Sequence, residues 1–142
     1  MKGIILLCVV LFFPKSNAVD GWTLFAKVAF KSKFIKEYNE KFLVPSFDSV
    51  IKAREGSEVI LKGYYMPFDL PGKSIILSKN PYASCFFCGG AGPESVAQIY
   101  FSSKPPKFKT DQRIEVKGKL RLNDVDVNQL NFILEEAEII TP

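Results

Sequence analysis

Alternation of apolar and polar positions marks four short strands. From Glu58 to Met66, residues Val59, Leu61, Gly63 and Tyr65 share one face and Ile60, Lys62 and Tyr64 the other, the period-two pattern of a half-buried strand. Ser74 to Ser78 carries the β-rich run Ile75, Ile76, Leu77, and Val96 to Phe101 alternates again. Arg113 to Leu122 gives the clearest signal, since Ile114, Val116, Gly118, Leu120 and Leu122 alternate with Arg113, Glu115, Lys117, Lys119 and Arg121. A fifth strand is expected through Leu130, Phe132 and Leu134. To keep Ala137 and Ile139 on its apolar face the phase must slip near Glu135 and Glu136, which predicts a bulge there.

The breaks between these runs are equally informative. Pro67 stops the first strand and Leu70-Pro71-Gly72-Lys73 turns the chain, so the first two strands read as a hairpin. Gly63 in mid-strand predicts a bulge or sharp bend. Asn80-Pro81-Tyr82 opens a loop that runs to Glu94, Lys104-Pro105-Pro106 marks a connection without ladder pairing, and Asn123-Asp124-Val125-Asp126 is a polar turn. From Asp20 to Phe47 the pattern is mixed. Trp22, Leu24, Phe25, Val28 and Phe30 fit a strand or a helix equally, and the lysines of 31–41 read as a solvated face on an extended lead-in. Ser46 is a candidate cap for a short helix over 47–54. Five short strands, a glycine inside the first and fourth, and a long connection after the second or third predict a mostly all-β fold: a small five-stranded OB-like Greek-key barrel. A β-sandwich is the alternative.

The start of the chain has its own logic. Met1-Lys2 is positive, Gly3 to Phe13 is apolar, and Ser16-Asn17-Ala18 places small residues where a signal peptidase reads. Eleven apolar residues fall short of the roughly 20 that span a bilayer, so the expectation is a signal peptide cleaved after Ala18 and no transmembrane span in the mature chain. Three parts follow: a signal peptide over 1–18, a lead-in over 19–54, and the barrel over 55–142. Cleavage leaves 124 of the 142 residues, enough for one domain. It also removes Lys2 and Lys15 and no acid, so the net charge falls from +4 to +2. A surface so nearly balanced gives no argument for nucleic acid or anionic lipid. The expected location is the periplasm or cell envelope.

Chemistry concentrates in residues 84–95, Ser-Cys-Phe-Phe-Cys-Gly-Gly-Ala-Gly-Pro-Glu-Ser. Cys85 and Cys88 are the only cysteines after Ala18, and in an oxidising compartment a disulfide is their default. As a staple, so short a loop contributes only about 2 kcal/mol. Thiol-disulfide exchange needs a stabilised, exposed thiolate, whereas Phe86 and Phe87 between the cysteines desolvate, and Gly89, Gly90 and Gly92 forbid a helix directly after Cys88. A metal site, zinc-like or for a soft ion such as Cu(I), would take Cys85 and Cys88, with Glu94, Asp69, backbone or a second subunit supplying the rest. The chain has no histidine, which removes the commonest general base and metal ligand. Gly89, Gly90 and Gly92 lack the lysine and the βαβ context of a phosphate cradle, and read as positions free to take positive φ. At least one of Phe86 and Phe87 is expected in the core. Asp124, Asp126 and Asn128 alternate as oxygen donors but lack the glycine and late glutamate of a calcium loop, so a turn with side-chain hydrogen bonds is the expectation.

Together Trp22 with Leu24, Val59-x-Leu61-Lys62-Gly63-Tyr64 before Pro67, Leu77-Ser78-x-x-Pro81-Tyr82, the loop 84–95, and Gly118-Lys119-Leu120-x-Leu122-Asn123 resemble small exported proteins of Bacteroidetes. The layout is more remotely similar to a domain-of-unknown-function group of envelope proteins and lipoproteins. Those have a Gly-Tyr-x-x-Pro strand end, a central proline-rich cysteine loop and a later glycine-rich strand. This chain keeps Gly63-Tyr64, Pro67 and Cys85, and has Phe87, Cys88 and glycines where that group has histidine and prolines. The resemblance implies the OB-like barrel and supplies no activity. The expected function is binding rather than catalysis: an envelope protein whose cysteine loop holds a metal, a small ligand or a protein partner, with redox exchange or a plain fastened loop as alternatives.

Overall fold

Strand order decides the architecture of this chain, whose computed structural model describes residues 17–70 and 73–141. The elements are β1 (Val19–Asp20), α1 (Gly21–Phe25), β2 (Ala29–Ile35), β3 (Glu40–Ser46), α2 (Ser49–Lys52), β4 (Glu58–Met66), β5 (Ser74–Ser78), β6 (Val96–Phe101), β7 (Arg113–Leu122) and β8 (Phe132–Thr141). Five strands follow one another as β4-β5-β6-β8-β7, and β7 returns to β4, closing a barrel. All neighbours are antiparallel except β6 and β8. That is the expected small OB-like barrel, with β1 added in parallel to the start of β4. The expected signal peptide lies, but for Asn17 and Ala18, outside the described residues, as do Pro71 and Gly72 of the predicted turn.

Four barrel strands have the bounds that alternation predicts. The interior holds Val59, Leu61, Leu77, Ala97, Ile99, Ile114, Val116, Leu120, Phe132 and Leu134, all buried. The bulge in the last strand is present: Lys119 pairs with Glu135 and Lys117 with Glu138, so one extra residue sits opposite Gly118. Glu136 takes it up at φ 50°. Gly63 shows why a strand interior can require glycine. There β4 passes from its partner β7 to its partner β5, and a Cβ would run into the Ser78 carbonyl. No register shift accompanies it, so the site is a close approach rather than a bulge.

Three expectations need correcting. The last strand starts at Phe132 and not at Leu130, whose N–H donates to the side chain of Gln98 instead of joining a ladder. The short helix before β4 is capped by Asp48 and not Ser46, since Asp48 Oδ1 accepts from the amides of Val50 and Ile51, each at 3.0 Å. The lysine-rich stretch is also no single extended lead-in. It folds on itself as the antiparallel pair β2–β3, turning through Asn39 at φ 54°.

The N-terminal segment closes one side of the barrel core. Asp20 caps α1 by accepting from Thr23 N–H, which aims Trp22, Leu24 and Phe25 into the cluster around Phe132. Phe25 stacks on Phe132 with centroids 4.0 Å apart, while Phe30 and Phe47 meet the same ring edge-on at 6.3 and 6.0 Å. Trp22 Nε1–H donates to Lys62 O at 2.9 Å. One phenylalanine of β8 therefore ties α1, the hairpin and the approach to α2 to the barrel.

Candidate functional site

Met66, Ile76 and Val96 point away from the barrel interior and would be wet on a bare wall. They are covered by the cysteine loop, which makes a second small core with Cys85 at its centre. Cys85 is 0% exposed. The loop is tied at both ends: Tyr82 N–H donates to Asp111 Oδ1 at 2.7 Å, and Lys79 N–H to Ser95 O at 2.8 Å.

Within the loop, a single tight turn over Phe86–Cys88 follows Cys85. The Cys85 carbonyl accepts from Cys88 N–H at 3.2 Å and Gly90 N–H at 3.1 Å. This knuckle brings the two sulfurs to 3.4 Å, with Cys85 buried and Cys88 exposed. The hydrogen bond with Cys85 is the main reason the Cys88 thiol titrates above its ordinary value, followed by desolvation and by the charge of Cys85. That direction disfavours the thiolate.

The glycines divide. Gly89 takes positive φ, 78°, as the knuckle's exit requires. Gly90 instead lies against the chain: a Cβ there would be 2.7 Å from Ser84 Cα. Gly92 is extended at φ −83°, so of the three glycines free to take positive φ only Gly89 uses that freedom. The Glu94 carboxylate folds back over Gly92. Among the described residues no group of three or more His, Cys, Asp or Glu side chains has metal-binding spacing, so the structure brings Cys85 and Cys88 together and leaves Glu94 apart from them. A soft ion taking two sulfurs fits this donor set better than a four-ligand zinc ion within one chain.

Phe86 of the knuckle packs against the second core and Phe87 is largely exposed, its ring 4.7 Å from that of Phe68. Phe86 also lines a groove of about 280 Å³. One wall is Phe86, Pro93 and Val96; the second is residues 124–127 and 129–131; the third is Ile35 with residues 41–45 of β3. The second wall is shaped by Asn123, a nearly buried side chain. Its Nδ2 donates to the carbonyls of Asp126, Gln129 and Leu130, and its Oδ1 accepts from the amides of Val125 and Asp126. The polar turn is thus a self-bonded loop, as expected from its composition.

Sequence reasoning found one wall of this groove and missed the other two. A turn-forming asparagine at position 39 between Ala29–Ile35 and Glu40–Ser46 was the available signal for the hairpin. The 124–131 wall had none, because its position depends on barrel closure.

Neither a family model nor a curated protein matches the sequence. Among solved structures, a DUF3299 family protein from Pseudomonas aeruginosa PAO1 is a remote neighbour, with 14% identity over 72% of this chain and 69% of that one, at a TM-score of 0.47. No helix among the described residues is long and apolar enough to cross a membrane.

Proposed function

We propose that this chain is an exported, non-catalytic binding protein of the cell envelope, and that the groove beside the cysteine loop receives its ligand. The observation that carries the reading is the convergence of three separate chain segments on one largely apolar groove, with Phe86 and Pro93 contributed by the loop that the cysteines organise. A groove near 280 Å³ sits at the lower end of ligand-site volumes and suits a few side chains. The knuckle holds Phe86 in place; it is support for the groove rather than a reactive centre.

Site-specific photo-crosslinking in the native host tests this. A photoreactive residue at Leu43 or Val125, both exposed on the groove, is expected to capture a discrete adduct, and one at the exposed Val50 is not. Equal capture from all three positions, or none from position 43, refutes it. Intact mass of the recovered protein reports cleavage after Ala18 and any ion on the cysteines.

A second reading, thiol-disulfide exchange, has one observation in its favour: the 3.4 Å approach of the two sulfurs, one of them exposed. It predicts that Cys85→Ser traps a mixed disulfide through Cys88. The elevated Cys88 thiol argues the other way.

A further inference from the structure

Residues Lys41, Phe42, Leu43, Val44 and Pro45 all line the groove. Side chains of a strand alternate between faces, so five consecutive residues can border one groove only if it runs along the strand's edge. β3 pairs with β2 and with no other strand among the described residues. Its second edge is therefore the groove wall, and it offers backbone N–H and C=O groups without ladder partners. Such an edge is a template for another extended chain. Pro45 has no N–H, which confines the template to the residues before it.

The opposite rim adds a charge preference. Asp124 and Asp126 line it, and neither is in an ion pair among the described residues; Asp126 Oδ1 accepts only from Asn128 N–H. Lys41 is the one cation among the lining residues. An occupant that hydrogen-bonds along β3 and carries a cation towards the acidic rim satisfies both walls.

We infer that the groove's occupant is an extended peptide segment of a protein partner, added as a strand to the free edge of β3, with alternate apolar side chains against Phe86, Val96 and Leu130 and a lysine or arginine at Asp124 and Asp126. This rests on the groove being the ligand site, and names the ligand's chemistry.

The test is selection of random heptapeptides displayed on phage against the full-length protein purified from its host, with Leu43→Glu as the counter-target. Enriched peptides are expected to alternate apolar residues and to carry a basic residue. A synthetic copy methylated on alternate backbone nitrogens should bind at least tenfold more weakly, because methylation removes strand pairing and keeps the side chains. The double substitution Asp124→Asn with Asp126→Asn should weaken the unmethylated peptide severalfold at low salt and much less at high salt. The inference is overturned by enrichment without alternation, by binding indifferent to backbone methylation, or by concentration-dependent dimers that Leu43→Glu abolishes, which would make a second copy the occupant. An absence of enriched peptides overturns it too. If position 43 still crosslinks a ligand in the host, only the peptide assignment falls; if it does not, the groove reading falls with it.

Discussion

Truncating Phe25 to alanine tests whether α1 belongs to the barrel's cooperative unit. The ring is 0% exposed, lies 4.0 Å from the centroid of Phe132 in a stacked pair and meets Trp22 edge-on at 5.8 Å. Removing a buried phenylalanine costs about 3–5 kcal/mol, since the transfer loss and the cavity add, and the two ring contacts are contained in that figure. A domain of this size is stable by about 5–15 kcal/mol, so Phe25→Ala should stay folded with a large part of its margin gone. At a urea m-value of about 2 kcal/mol per molar, the midpoint should fall by about 1.5–2.5 M. Trp22 is the sole tryptophan and sits in the same cluster, so its fluorescence reports the N-terminal segment while far-UV circular dichroism reports the strands. The two transitions should coincide and move together. A loss below about 1 kcal/mol, or a Trp22 transition that separates from the strand transition in the wild type, would refute the assignment of α1 to the barrel core.

The remaining predictions concern the site. Cys88 should react with iodoacetamide along a pH profile displaced to the alkaline side of a free thiol, and Cys85→Ala should bring it back, because Cys85 causes the elevation. The sign follows for stability: a thiol raised in the folded state contributes fully below its unfolded pKa, and that contribution is lost as pH rises through the higher folded value. Gly90→Ala should cost about 1–3 kcal/mol by thermal melting, since Ser84 backbone atoms block a Cβ, whereas Gly92→Ala should cost less than about 1 kcal/mol, because only the flexible Glu94 side chain is in the way. Asn123→Ala should cost about 2 kcal/mol or more by urea titration and weaken binding at the groove, as it removes all five hydrogen bonds that shape the 124–131 wall.

Strands β4 and β7 were legible because over most of their length one face is wetter and the other dry, and β5 and β6 because their apolar runs are bounded by turn residues. Arg113 to Leu122 alternates in every residue, and the slip at Glu135-Glu136 could be placed because Ala137 and Ile139 would otherwise turn outwards. Alternation failed where burial is not one-sided. In β3 the buried residue is Pro45, while Leu43 on the same face is 49% exposed, so hydrophobicity there follows distance from the barrel more than strand face. Met66 is dry on the outer wall because it packs in a second cluster with Cys85 and Phe86 of the loop and with Phe68, Leu70 and Leu130, a tertiary fact with no local signature. The cysteine loop was found by composition, yet its third expected ligand was not, since Glu94 is turned back over Gly92 by the loop's course rather than by its sequence spacing.

Coverage of the outer wall also bears on where this barrel can bind. OB folds present the face of their second and third strands, flanked by loops, to extended ligands. Here those strands are β5 and β6, and their outward residues Ile76, Val96 and Gln98 are 2%, 2% and 1% exposed. Gln98 is fully engaged beneath the loops, its amide donating to Ser74 Oγ and Tyr100 Oη while its carbonyl accepts from Leu130 N–H. Uncovering that face would strip Cys85 from its apolar setting and leave the Gln98 side-chain carbonyl and the Leu130 N–H unpaired, at about 1–3 kcal/mol for each polar group until water reached them. On the proposed reading, recognition is displaced from the face to its margin, where the covering loops meet the hairpin. On this argument the cysteine knuckle matters to function chiefly by closing the usual face and holding Phe86 at the edge of the new one.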